Sequence, residues 1–162
     1  GYLSVFKSPS LRRSGSVSLC ASGEPAATKK VLVVGGTGRV GGSTARFILE
    51  FCDSEGIESE VLLAGRNSGK YESSRSRILH RGKVEWRERI RFAPVDYEVP
   101  EDLMQAVSEV DLVVHTAGPF QQREVPAVLD AAVQAGVPYV DVCDEKLLCK
   151  AAKLRSESAK ER

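Results

Sequence analysis

Five glycines fall in the run Gly35-Gly36-Thr37-Gly38-Arg39-Val40-Gly41-Gly42. Gly36, Gly38 and Gly41 fit G-x-G-x-x-G, and Gly35, Gly38 and Gly41 fit the variant G-x-x-G-x-x-G. In either register the first glycine permits a tight turn. The second lets backbone approach a pyrophosphate, and the third lets a helix pack close on a strand. The chemistry is anion binding: the helix that follows starts with free N–H groups and the positive end of its dipole. An ATP-type phosphate loop would place lysine where Gly42 stands, so it lacks the ammonium it needs. A glycine turn with no ligand is the weaker reading, because strand and helix signals flank the motif directly.

Other residues extend this chemistry. Arg66, in Ala64-Gly65-Arg66-Asn67, stands where an NAD-specific site offers an acid to the ribose hydroxyls. A guanidinium grips a 2′-phosphate bidentately, and a charge-assisted hydrogen bond contributes about 1.5–3 kcal/mol. The expected dinucleotide is therefore NADP, with Ser68 and Lys70 as helpers. Asp96 either bonds the adenine or caps the next turn. Gly118 either admits a cofactor to close approach or makes an ordinary Gly-Pro turn with Pro119. His115 lies inside an apolar run and reads as a hydrogen-bonded core histidine before a catalytic one. Asp141 and Asp144 either orient a substrate amine or cap a helix, with capping favoured. Tyr-x-x-x-Lys, a proton-relay signature, is absent: Tyr71, Tyr97 and Tyr139 are followed four places on by Arg75, Glu101 and Cys143.

The elements that must position these groups alternate. Apolar runs at about 31–35, 60–64, 90–95, 111–115 and 137–142 read as buried strands. Helical spacing separates them at 40–53, 101–108 and 125–135; 68–88 reads as a charged helix followed by an irregular loop. A last charged helix starts at Glu145. Parallel neighbours need crossover connections, so the fold class is α/β: a Rossmann-like, doubly wound parallel sheet. Right-handed crossovers predict the strand order 3-2-1-4-5, with the ligand at the carboxyl ends of the strands.

Composition bounds the rest. The chain has 162 residues, 42% of them hydrophobic, and a net charge of +1, the profile of one globular domain with no pull towards nucleic acid. No apolar run approaches the ~20 residues needed to cross a bilayer. The cysteines form no C-x-x-C pair and the two histidines, His80 and His115, are far apart, so no metal is expected. Residues 1–29 carry seven serines and one acid, Glu24, and read as a disordered transit peptide, with a plain disordered tail as the alternative. The globular unit is expected over 30–162, destined for the chloroplast, or else the mitochondrion or cytoplasm.

Together, Val31 to Gly42, Ala64 to Asn67, Val113-Val-His-Thr-Ala-Gly-Pro-Phe-Gln-Gln122 and Tyr139-Val-Asp-Val-Cys-Asp144 resemble saccharopine dehydrogenase-like reductases. The likeness is to their N-terminal NADP-binding domain, nearest the plant chloroplast type, and covers about 30–145. It implies hydride chemistry at a C–N bond of an amino-acid-type substrate. It carries cofactor roles onto Gly36, Thr37, Gly38, Arg39, Val40, Arg66, Asp96, Ala117, Gly118 and Pro119, and Asn67 beside Arg66 is a further cofactor-binding candidate. In that family a second domain shapes the substrate site, whereas 17 residues follow Glu145 here. The expectation is a fragment, inactive alone, whose full-length form takes a small amino-acid-like substrate and is compatible with homo-oligomers. The alternative is a non-catalytic NADP-binding regulatory or interaction module.

Overall fold

The computed structural model describes residues 5–6, 27–117, 126–142, 146–155 and 159. Strands β1 (Val5–Phe6), β2 (Lys29–Val34), β3 (Ser59–Gly65), β4 (Ile90–Pro94), β5 (Leu112–His115) and β6 (Tyr139–Asp141) form one sheet in the order β1-β6-β5-β2-β3-β4. The five strands from β2 onward pair in parallel, which gives the predicted 3-2-1-4-5 arrangement. Helices α1 (Arg39–Ser54), α2 (Ser68–Arg81), α3 (Pro100–Ser108), α4 (Ala127–Ala135) and α5 (Lys146–Leu154) alternate with them.

The apolar runs form strands because both faces of a parallel sheet are covered. Successive side chains on β2 go to opposite faces. Leu32 and Val34 join Leu103, Val107 and Leu129 on the α3–α4 side. Val31 and Val33 join Leu49, Leu63, Ile78 and Trp86 on the α1–α2 side. Pro100 opens α3, where its missing N–H costs nothing, and Gly136 closes α4 at φ 69°.

Two regions differ from the sequence reading. Val5–Phe6, from the segment expected to stand apart, pairs antiparallel with β6 through Val5↔Val140 and Phe6↔Tyr139. An edge strand presents unpaired N–H and C=O groups, and two residues are too few to leave a periodic signal. Over 68–88 the expected helix forms as α2, but the stretch after it, expected as an irregular loop, holds a 3₁₀ turn. Helix α2 buries Tyr71, Ser74 and Ile78 on one narrow face, and the 3₁₀ turn (Val84–Arg89) buries Trp86.

Asp53, near the end of α1, anchors that turn. Its carboxylate accepts from Arg89 Nη1 at 2.6 Å, Lys83 Nζ at 2.7 Å and Trp86 Nε1 at 2.9 Å. Arg89 also donates to Ser59 O and Oγ, both at 2.7 Å, and so joins helix, turn and the start of β3. The hydrogen bonds from Arg89, then Lys83 and Trp86, hold the Asp53 carboxyl far below the usual carboxylate range.

Candidate dinucleotide-binding site

The glycine turn sits where β2 hands over to α1, at the carboxyl edge of the sheet. Gly36 N–H donates to Val33 O at 3.0 Å and Gly38 N–H to Gly35 O at 2.9 Å. Gly35 has φ 81°, a left-handed value that other residues rarely adopt. Gly41 is constrained by space: a Cβ there would lie 2.6 Å from Gly36 Cα and 2.7 Å from Thr116 Oγ1, and closer still to Gly35 O. The third glycine therefore lets α1 seat against the turn, as the motif requires.

Two hydroxyl groups hold this turn, and the sequence reading missed both. Ser74 Oγ, fully buried on α2, donates to Gly36 O at 3.1 Å. Thr116 donates twice to Val34 O, from Oγ1 at 2.9 Å and from its N–H at 2.8 Å. Thr116 thereby ties β5 to β2 at the point where the winding of the sheet reverses. Ser74 carried a signal of a kind, three residues after the apolar Tyr71 and thus on the same helix face.

The first turn of α1 is left open to an anion. Gly38, its N-cap, has extended backbone (φ −81°, ψ 175°) and no side chain to donate an acceptor. No acidic residue stands in that turn. The first backbone acceptor is met at Gly42, whose N–H reaches Gly38 O at 3.0 Å. The earlier N–H groups and the dipole end suit a pyrophosphate.

A cleft of about 370 Å³ runs from this turn across the ends of β3 and β4, lined by Gly35, Thr37, Arg66, Asn67, Lys70 and Tyr97 among others. Arg66 is largely exposed and only 3.9 Å from Asp96 Oδ2, a loose pair in water. Its fork remains available to a phosphate. Asn67 Oδ1 accepts from Lys70 N–H at 3.0 Å and so caps α2 while lining the cleft. Asp96 Oδ1 accepts from Glu98 N–H at 3.0 Å, which is the capping reading of that residue. Ala117 backbone packs against Gly35. Gly118 and Pro119, like Asp144, lie outside the described residues. Val40 is exposed on α1. Arg39 lines a separate groove between α1 and α2 and not this cleft. Tyr97 was not singled out from the sequence as a site residue, although it directly follows Asp96 at a strand end.

His115 points to the α3–α4 side of the sheet, the same face as its register partner Val34. It is buried, its Nδ1 lies 3.0 Å from Tyr139 Oη, and burial lowers its pKa against the opposing charge of Asp141. Its Nε2 is buried and without a hydrogen-bond partner among the described residues, and the residue lines a cavity of about 340 Å³ with Tyr97 and Tyr139. Asp141 is buried at the end of β6.

The donor set fits a dinucleotide with a 2′-phosphate: an anion-ready helix start, a turn that admits no Cβ at Gly41, and an exposed, loosely paired guanidinium with Lys70 lining the same cleft. Residues 31–162 match the family model described as "Saccharopine dehydrogenase NADP binding domain". No curated protein matches the chain. A triphenylmethane reductase from Citrobacter sp. superposes with TM-score 0.54 at 18% identity, over 80% of this chain and 45% of that one, a likeness of fold. The C-domain of a bacterial malonyl-CoA reductase with NADP is 25% identical over 67% of this chain and 17% of its own, at TM-score 0.45. AtPrR2 with NADP+ and (+)pinoresinol is 28% identical over 68% and 34%, at TM-score 0.42. The chain thus spans less than half the length of each of these solved chains. By the match over 31–162, and with the glycine turn and cleft that the structure shows, the chain belongs to the saccharopine dehydrogenase NADP binding domain family.

Proposed function

We propose that this chain is the NADP-holding part of an oxidoreductase that transfers hydride at a C–N bond of a small amino-acid-type substrate. The observation that carries the cofactor half is Arg66, exposed at the end of β3 beside Lys70. Bound NADP supplies the hydride, and the protein supplies grip and orientation. In this reading the first-turn N–H groups of α1 take the pyrophosphate, and Arg66 with Lys70 takes the 2′-phosphate. The family membership supports the C–N assignment, and a further domain of the full-length protein shapes the substrate pocket. A steady-state assay of the full-length protein tests it, with NADPH, an amino acid and an oxo acid that condense to an imine. Imine-dependent NADPH oxidation is expected; NADPH oxidation with a plain ketone or aldehyde and none with the imine would contradict it.

A second reading, a non-catalytic NADP-binding module that docks a protein, draws on one observation. Val40, Phe47 and Phe51 stand 57%, 59% and 60% exposed on α1. Full-length protein that binds NADPH yet turns over no imine would favour it. The Ser-rich, acid-poor leading segment supports a chloroplast location. A fluorescent fusion to residues 1–29 tests that directly.

A further inference from the structure

The groove between α1 and α2 carries a concentration of positive charge of which the dinucleotide reading uses only Arg39. It has a volume of about 270 Å³, and Arg39, Ser43, Arg46, Ser74, Arg77 and Arg81 line it. No carboxylate is among its lining residues, and it shares none of them with the dinucleotide cleft. On α1, positions 39, 43 and 46 fall on one face; on α2, so do 74, 77 and 81. Both helices run down from the carboxyl edge of the sheet, so the two rows of arginines flank the groove along its length.

The arginines differ in what satisfies them. Arg46 pairs with Glu50 one turn on, and its guanidinium lies 4.1 Å from the Phe47 ring centre. Arg39, Arg77 and Arg81 have no ion pair or side-chain hydrogen bond among the described residues. Arg77 and Arg81 are four residues apart on α2, an arrangement in which like charges repel. Free guanidinium forks around a concave surface are the geometry that phosphate groups satisfy bidentately. Ser43 adds an exposed hydroxyl to the lining.

We propose that this groove is a second anion site, for a small organic molecule bearing two or more phosphate groups, separate from the dinucleotide cleft. Ser74 lines the groove and holds Gly36 of the glycine turn, so the two sites are mechanically adjacent.

Inorganic tripolyphosphate is the probe, titrated by calorimetry into the whole chain at fixed ionic strength. Four proteins are compared: wild type, Arg77→Ala with Arg81→Ala, Arg66→Ala, and Lys150→Ala with Lys153→Ala. The last removes the same charge from α5, away from the groove. Circular dichroism confirms that each is folded, which is expected for exposed side chains. The site predicts at least a tenfold loss of tripolyphosphate affinity in the Arg77/Arg81 variant, and less than twofold in the Arg66 and lysine variants. Wild-type affinity in the Arg77/Arg81 variant would place the anion at the glycine turn and overturn the proposal. So would an equal loss in the lysine variant, which marks unspecific charge attraction, or no binding to wild type at all.

Discussion

Ser74 Oγ donates to the Gly36 carbonyl at 3.1 Å across a separation of 38 residues, so the second helix sets the shape of the turn that precedes the first. Both groups are out of contact with solvent on the serine side, where the hydroxyl is fully buried. Ser74→Ala leaves the Gly36 oxygen without that donor, at a cost of about 1–3 kcal/mol. Urea denaturation should show that loss, and NADPH titration should show several-fold weaker binding, because the turn is no longer fixed.

Gly41→Ala tests the motif more severely. The added methyl would meet Gly36 Cα and Thr116 Oγ1 at about van der Waals-violating distance, with backbone on one side that has no room to yield. Overpacking of this kind costs about 1–3 kcal/mol. The folded variant should lose measurable NADPH affinity, whereas Gly56→Ala, in open space, should leave binding unchanged even though its positive φ strains the loop.

Asp53 makes acid stability specific. Its folded pKa is held below the ordinary value by the hydrogen bonds from Arg89, Lys83 and Trp86. A depressed carboxyl pKa means that the unfolded chain binds the proton first. Its stabilisation is therefore complete above the unfolded value of about 3.9 and is lost as pH falls below it. Asp53→Asn should cost about 2 kcal/mol at pH 7. It should also flatten the decline of unfolding free energy below about pH 4 that the parent chain shows.

His115 governs a different window. Burial lowers its folded pKa, so the unfolded chain takes up the proton more readily near the ordinary histidine value of about 6.5. Stability is full above that value and falls as pH drops below it. Denaturation midpoints from pH 7.5 to 5 should decline in the parent chain and decline less in His115→Gln.

Most of the fold was legible because its signals are local. The β2 run Val31 to Val34 is buried on both faces, and the glycines beside it leave few alternatives. Pro100 and Gly136 marked helix ends by backbone chemistry alone. The site was legible in part. Gly35 and Arg66 stand just past strand ends and Gly41 in the first turn of α1, as the motif predicts, whereas Ser74 and Thr116 act through contacts 38 and 82 residues away that no local pattern encodes. Arg39 lies within the motif and also lines the groove between the helices, a placement that no local pattern encodes. Val5–Phe6 escaped notice because edge pairing asks only for backbone groups.

The measurement that bears most directly on the cofactor assignment is a paired titration of the chain with NADPH and NADH, read by Trp86 fluorescence or calorimetry. One charge-assisted contact from Arg66 to the 2′-phosphate predicts NADPH binding about tenfold to a hundredfold tighter. Arg66→Ala should abolish that preference while leaving NADH affinity nearly unchanged. Tighter NADH binding, or a preference for NADPH that survives Arg66→Ala, would contradict the account.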